Sequence, residues 1–240
     1  MTFAPIRRPR LNQPNGDGID WSNPITRNLV SAIGLGTLYD AAASKSLTGT
    51  VTGTKTVAGG RGFGTTDGSG TSDKVPTTLA ASTGPASYFV RAKLIGWGGG
   101  SAGRLFQSTS GGFEALYIQN AVSSGLVYVR AFTGSRSAFT NSAASVSDNF
   151  GKIACYSVSF DASSPSNEPE LYINGVRFPF ATFDSLPTGS AVAGGSIAIG
   201  NSTAGTKNAD GIIYDLYSFR GMLSSDQHKS LAANPHQIYL

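Results

Sequence analysis

Apolar and polar residues alternate in short runs along most of this chain, and Gly, Ser, Thr and Asn fill the gaps between the runs. A period of two marks strands that turn one face toward a core. Such runs occupy 46–52, 87–95, 104–107, 114–119, 126–132, 153–160, 197–199 and 212–219. The run 87–95 is apolar enough for a central strand. Residues 171–177, LYINGVR, read as strand, turn, strand: Asn174-Gly175 suits a two-residue hairpin turn that needs positive φ twice. One segment breaks the period. Ser224 with Gln227 three residues on is a capping-box pattern, Leu231 gives an apolar contact, and Asn234-Pro235 stops the run, which predicts a helix over 224–233. The polarity of this segment places His228 on an exposed face.

Ten or more strand candidates with one helix exclude alternating βαβ architectures. They predict an all-β fold of two antiparallel sheets, a sandwich or jelly roll. Residues 1–24 have no periodicity and carry Pro5, Pro9, Pro14 and Pro24. Proline fixes its own torsion and disfavours helix in the residue before it, so this segment is expected to be an extended arm. The body is expected at 25–240 as one domain, because no linker divides it.

Composition sharpens the picture at three points. Charged residues are 13% of the chain, about half the usual ~25%. Such a surface fits an ordinary all-β protein or one held in permanent contacts. The net charge of +4 is local: Arg7, Arg8 and Arg10 lie in the arm, leaving 15 of the 18 basic residues against 14 acidic ones. The body is therefore near neutral, which argues against specific nucleic-acid binding. The arm arginines and Trp21, beside the arm, are the candidate partner-binding residues. The single cysteine, Cys155, sits inside an apolar strand and is expected to be buried and inert. No apolar segment follows the N-terminal arginines as in a secretory signal, and no run approaches the ~18 residues of a membrane span. Synthesis in a cytosol without export, and no membrane partner, are expected.

Candidate catalytic groups are few. Of three glutamates, Glu114 stands alone, and Glu168 and Glu170 are split by Pro169 at a hairpin entry, which reads as a solvated turn. Asp210 and Asp215 are five residues apart, an odd spacing that puts them on opposite faces of a regular strand. His228 and His236 are the only histidines and are expected at the surface. Neither Cys/His metal spacing nor a Gly-x-Ser-x-Gly elbow occurs. The glycine runs 59–64 and 98–100 read as loops, since neither joins a parallel strand to a helix. Trp97 reads as the edge of the core. No catalytic residue, no metal site and no enzymatic activity are expected.

The order of LYINGV, the strand SIAIG ending at Gly200, the strand ADGIIYDLYSF over 209–219 and a short capped helix resembles the C-terminal half of the laminin G-like, concanavalin A-like β-sandwich family. Asn23-Pro24, Arg27 and Leu29-Val30 resemble the opening of laminin G-like modules in bacteriophage virion proteins. The resemblance implies a jelly-roll sandwich in which the segments around Leu29 and Ile238 are neighbours. Glucanases of this fold carry a Glu-x-Asp-x-x-Glu strand, and that pattern is absent. Some modules of the family bind one calcium at a loop rim. Asp184, Asp210 and Asp215 are the carboxylates available here, without a diagnostic spacing, so no cofactor is expected, with calcium the one exception to keep open. The implied function is a non-enzymatic virion structural protein, a capsid decoration or cement protein whose arm contacts the major capsid or tail protein and copies of itself. The alternative is a carbohydrate-binding module of a tail or fibre.

Overall fold

The computed structural model describes residues 18–47, 55–57, 59–63, 74–80, 82, 84–99, 102–108, 115–121, 126–133, 136–139, 148–161, 167–179, 182–183, 195–202 and 207–240. Arg7, Arg8, Arg10 and Asp184 lie outside the described residues, as does most of the strand expected at 46–52. The described strands, in chain order, begin with β1 (Leu29–Gly34), β2 (Tyr39–Asp40), β3 (Lys45–Ser46), β4 (Lys55–Val57), β5 (Gly60–Phe63) and β6 (Val75–Ala80). They continue with β7 (Ala86–Leu94), β8 (Ala102–Ser108), β9 (Ala115–Ala121), β10 (Leu126–Thr133), β11 (Arg136–Phe139) and β12 (Ile153–Phe160). The last are β13 (Glu170–Ile173), β14 (Val176–Phe178), β15 (Thr182–Phe183), β16 (Ser196–Ile199) and β17 (Gly211–Arg220). Helix α1 (Ser225–Ala233) follows.

Among the described residues the strands form two antiparallel sheets, as the alternation predicts. One runs β14-β13-β12-β7-β17-β1-β2-β3, with β4 and β5 attached beside β17. The other runs β15-β11-β10-β9-β8-β16-β6. β17 pairs β7 along one edge, and β5 and then β1 along the other, so the longest apolar strand sits at the centre. Tyr88, Val90, Ala92 and Leu94 of β7 point into the space between the sheets, with Ala154, Tyr156, Val158 and Phe160 of β12. Leu105, Phe106, Ile197 and Ile199 of the second sheet meet them. Tyr88 and Phe106 touch across the interface with ring centroids 4.6 Å apart. Each such ring removes apolar area from water at about 25 cal/mol per Å².

A second, smaller core lies on the outer face of the larger sheet. The alternate positions Phe89, Cys155, Tyr217 and Phe219 point there and are covered by Ile19, Ile25, Leu29, Leu223, Leu231 and Ile238. Leu29 and Ile238 therefore share one cluster, as the family resemblance implies. The covering elements are α1, the C-terminal tail and residues 18–28. This revises the boundary of the arm. Residues 18–24 belong to the body, because Ile19 is buried and pairs with Tyr239.

The hairpin and the helix match their sequence signals. Asn174 and Gly175 have φ of 51° and 77°, the double positive turn expected of Asn-Gly. Ser224 Oγ accepts from Gln227 N, and Gln227 Oε1 accepts from Ser224 N, closing the capping box. The run 59–64 is not a simple loop: Gly60–Phe63 is strand β5, paired with β4 and β17. The backbones approach closely there, and a Cβ on Gly60 would stand 2.8 Å from the Ile213 carbonyl oxygen. A bulge between Ile213 and Asp215 breaks the regularity that the Asp210–Asp215 spacing argument assumed.

Candidate functional site

Of the residues that sequence reading singled out, Cys155, Asp215, His228 and His236 lie at the outer face of the larger sheet, where the described N-terminal residues meet the C-terminal tail. The two segments form a clasp. Asp20 N donates to the Ile238 carbonyl at 2.8 Å, and Leu240 N to the Gly18 carbonyl at 2.9 Å. Asn23 Nδ2 donates to the Gln237 carbonyl at 3.0 Å, and Ser230 Oγ of α1 to Gln237 Oε1 at 2.9 Å. Pro24 opens a short 3-10 turn, Pro24–Asn28, for which the Asn23 side chain accepts from Ile25 N. Trp21 projects from this clasp and is 53% exposed, whereas Trp97 is half-buried against the main core with its ring edge-on to Phe150.

His228 is buried, against the expectation of an exposed face. Leu231 lies three residues on and shares its side of α1, and that side faces the sheet. Its ring stacks on Tyr172 with centroids 4.0 Å apart. A chain of hydrogen bonds fixes its tautomer. Ser87 Oγ accepts from Leu223 N and donates to the Gly221 carbonyl, each at 2.9 Å. Ser159 then donates to Ser87 Oγ at 2.6 Å, since a carbonyl can only accept. His228 Nε2–H donates to Ser159 Oγ at 2.8 Å, and Nδ1 accepts from Ser157 Oγ at 2.7 Å. Burial lowers the His228 pKa from 6.5 to about 4. Both serines and the imidazole are closed to solvent, so the contact registers α1 on the sheet and presents no nucleophile.

A second cluster lies toward the tail. Arg91 Nε donates to Asp215 Oδ2 at 2.6 Å, and the guanidinium sits 5.0 Å from the Tyr214 ring centroid. Burial pushes the Asp215 carboxyl up, against the pull of Arg91. His236 is half-buried beside this pair rather than at the surface, and burial lowers its pKa with help from Arg91. Cys155 meets its expectation: it is buried, and desolvation raises its thiol to about 11.

Two further carboxylates, Asp40 and Glu170, are held by internal partners. Asp40 is buried and accepts from Ser31 Oγ and from the backbone N–H groups of Ala32, Ala42 and Ala43. Glu170 Oε1 pairs with Arg177 at 3.2 Å, and Glu170 Oε2 accepts from the Tyr172 hydroxyl at 3.2 Å. Glu168 is exposed, and Asp210, raised by burial, precedes β17. No group of three or more His, Cys, Asp or Glu side chains placed to hold a metal gathers among the described residues. No helix among them is long and apolar enough to cross a membrane.

No family profile matches the chain, and no curated protein matches it. Solved structures share its fold. Trypanosoma rangeli sialidase superposes with a TM-score of 0.60 at 14% identity, over 89% of this chain and 33% of the sialidase. HCR D/C VPI 5995 superposes with a TM-score of 0.61 at 13% identity, over 89% of this chain and 53% of that one. Domain 4 of AbnA, a GH43 extracellular arabinanase from Geobacillus stearothermophilus solved with arabinotriose, gives 0.54 at 16% identity, over 85% of this chain and 98% of the domain. The chain thus spans about a third of the sialidase and nearly all of the arabinanase domain. At these identities the likeness shows a β-sandwich and extends to the fold alone.

Proposed function

We propose that this chain is a non-catalytic structural protein of a bacteriophage virion, a capsid decoration or cement protein that docks through the segment preceding its sandwich. The observation that carries the reading is the clasp. It ties Gly18 and Ile19 to Leu240 and Tyr239 and leaves Trp21 exposed at the same place, next in sequence to the residues that carry Arg7, Arg8 and Arg10. A segment of about 17 residues ahead of such a clasp adds interface area toward the ~1,000 Å² of a specific contact without changing the sandwich. The engagement of His228, Asp40, Asp215 and Glu170 in internal hydrogen bonds and ion pairs supports a binding role over a catalytic one. Mass spectrometry of purified particles tests it: the chain is expected at many copies per particle alongside the major capsid or tail protein. Its absence from particles overturns the reading.

A second reading is a carbohydrate-binding module. The match to an arabinanase domain of nearly the same extent, solved with a trisaccharide, favours it. A glycan array probed with the full chain tests it, and no bound glycan would remove it.

A further inference from the structure

We propose that the depression at the open end of the β13–β14 hairpin is a subsite for one uncharged sugar ring. The proposal rests on the carbohydrate-binding reading and gives it a place and a ligand class.

The depression is lined by Glu168, Pro169, Arg177, Phe178 and Pro179 and encloses about 260 Å³. Sites for drug-sized ligands span about 300–1,000 Å³, so this one has room for a single ring. Its walls are stiff. Leu171 pairs with Phe178, which leaves Pro169 and Pro179 just beyond the last paired residues, each with a fixed φ. Phe178 is half-buried and packs back onto the main core, which keeps its ring in place.

The polar groups are set from the inside outward. His228 stacks on Tyr172, the Tyr172 hydroxyl donates to Glu170, and Glu170 holds one Nη of Arg177. The Arg177 side chain is still 58% exposed, so its other N–H groups face solvent in a fixed fork. Glu168 adds an exposed carboxylate that only accepts. A sugar ring offers hydroxyls that both donate and accept, and apolar C–H faces. Donor fork, acceptor carboxylate and apolar wall match those three properties.

The sign of the charge selects among sugars. Of the lining charges, the Arg177 guanidinium is already met by Glu170 beside the depression, which leaves the Glu168 carboxylate uncompensated among the described residues. The depression carries an excess negative charge, which opposes uronic acids, sialic acids and sugar phosphates.

Calorimetric titration of the full chain with arabinotriose, cellotriose and sialyllactose tests the proposal, alongside Glu168→Gln and Arg177→Gln. Both side chains are largely exposed, so both variants are expected to melt like the parent. A neutral trisaccharide is expected to bind more tightly than sialyllactose. Each variant is expected to weaken the neutral probe tenfold or more, and Glu168→Gln to narrow the gap between neutral and acidic probes. Neutral binding that survives both substitutions overturns the subsite while leaving the carbohydrate reading intact. Tighter binding of sialyllactose overturns the charge argument and the proposal with it. Failure of all three probes, joined by an empty glycan array, removes both.

Discussion

His228 Nε2 lies 2.8 Å from Ser159 Oγ, inside a closed chain of hydrogen bonds that ties α1 to the outer face of the larger sheet. The imidazole is neutral there, with its pKa lowered from 6.5 to about 4 by burial. The unfolded chain takes up this proton near pH 6.5 and the folded chain only near 4. Stability is therefore full above 6.5, falls between 6.5 and 4, and levels off below. The gap corresponds to about 3 kcal/mol. Urea denaturation across this range is expected to show that loss, and His228→Phe is expected to flatten it while lowering stability overall. Equal slopes for parent and variant would contradict the assignment.

Gly175 stands against α1: a Cβ there would lie 2.9 Å from Lys229 Cα, at a φ of 77°. Gly175→Val therefore meets two penalties. Turn strain alone is worth about 1–3 kcal/mol, and the clash with helix backbone adds to it. A midpoint in urea unchanged from the parent would show that the hairpin does not rest on the helix.

The hairpin, α1 and the central strands were legible because each is specified locally. Asn174-Gly175 needs only its own torsions, the capping box only Ser224 and Gln227, and β7 and β12 only their alternation. The placement of His228 was not legible in the same way. It depends on a third layer packed over Ser157 and Ser159, whose alternation with Tyr156 and Val158 reads as a solvated face. The spacing of His228 to Leu231 was the signal available, since residues three apart share a helix side. Ile19 escaped for a related reason: its partner Tyr239 lies at the far end of the chain, and a lone isoleucine among prolines has no period. The β17 bulge and the strand character of Gly60–Phe63 come from tertiary contacts with no local mark. For the proposed function the sequence offered the arm and Trp21, and the clasp beside Trp21 came only with the fold.

Arg91 and Asp215 form a largely buried pair, with side chains 21% and 9% exposed. Arg91→Met is expected to destabilise by about 3–5 kcal/mol, because it leaves the Asp215 carboxylate buried without its partner. Arg91→Met with Asp215→Leu is expected to recover most of that loss. A double variant as unstable as the sum of the two singles would contradict the coupling.

No glycan cleavage by the chain is expected. Hydrolysis of a glycosidic bond usually needs two carboxyls about 5–10 Å apart across it. Glu170 is engaged by Arg177 and Tyr172, and Pro169 separates it from Glu168. Incubation with capsular polysaccharide, lipopolysaccharide and β-glucan is expected to release no more reducing ends than the Glu168→Gln/Glu170→Gln variant. Release that disappears in that variant would restore a glycosidase.

The claim that the segment before the clasp is the docking element is tested most directly by adding purified protein back to particles that lack it. The full chain and a variant beginning at Gly18 are compared for melting temperature and for co-sedimentation with the particles. The account predicts nearly equal melting temperatures and loss of co-sedimentation for the shortened chain. A shortened chain that binds particles as well as the full one, or that no longer folds, contradicts it.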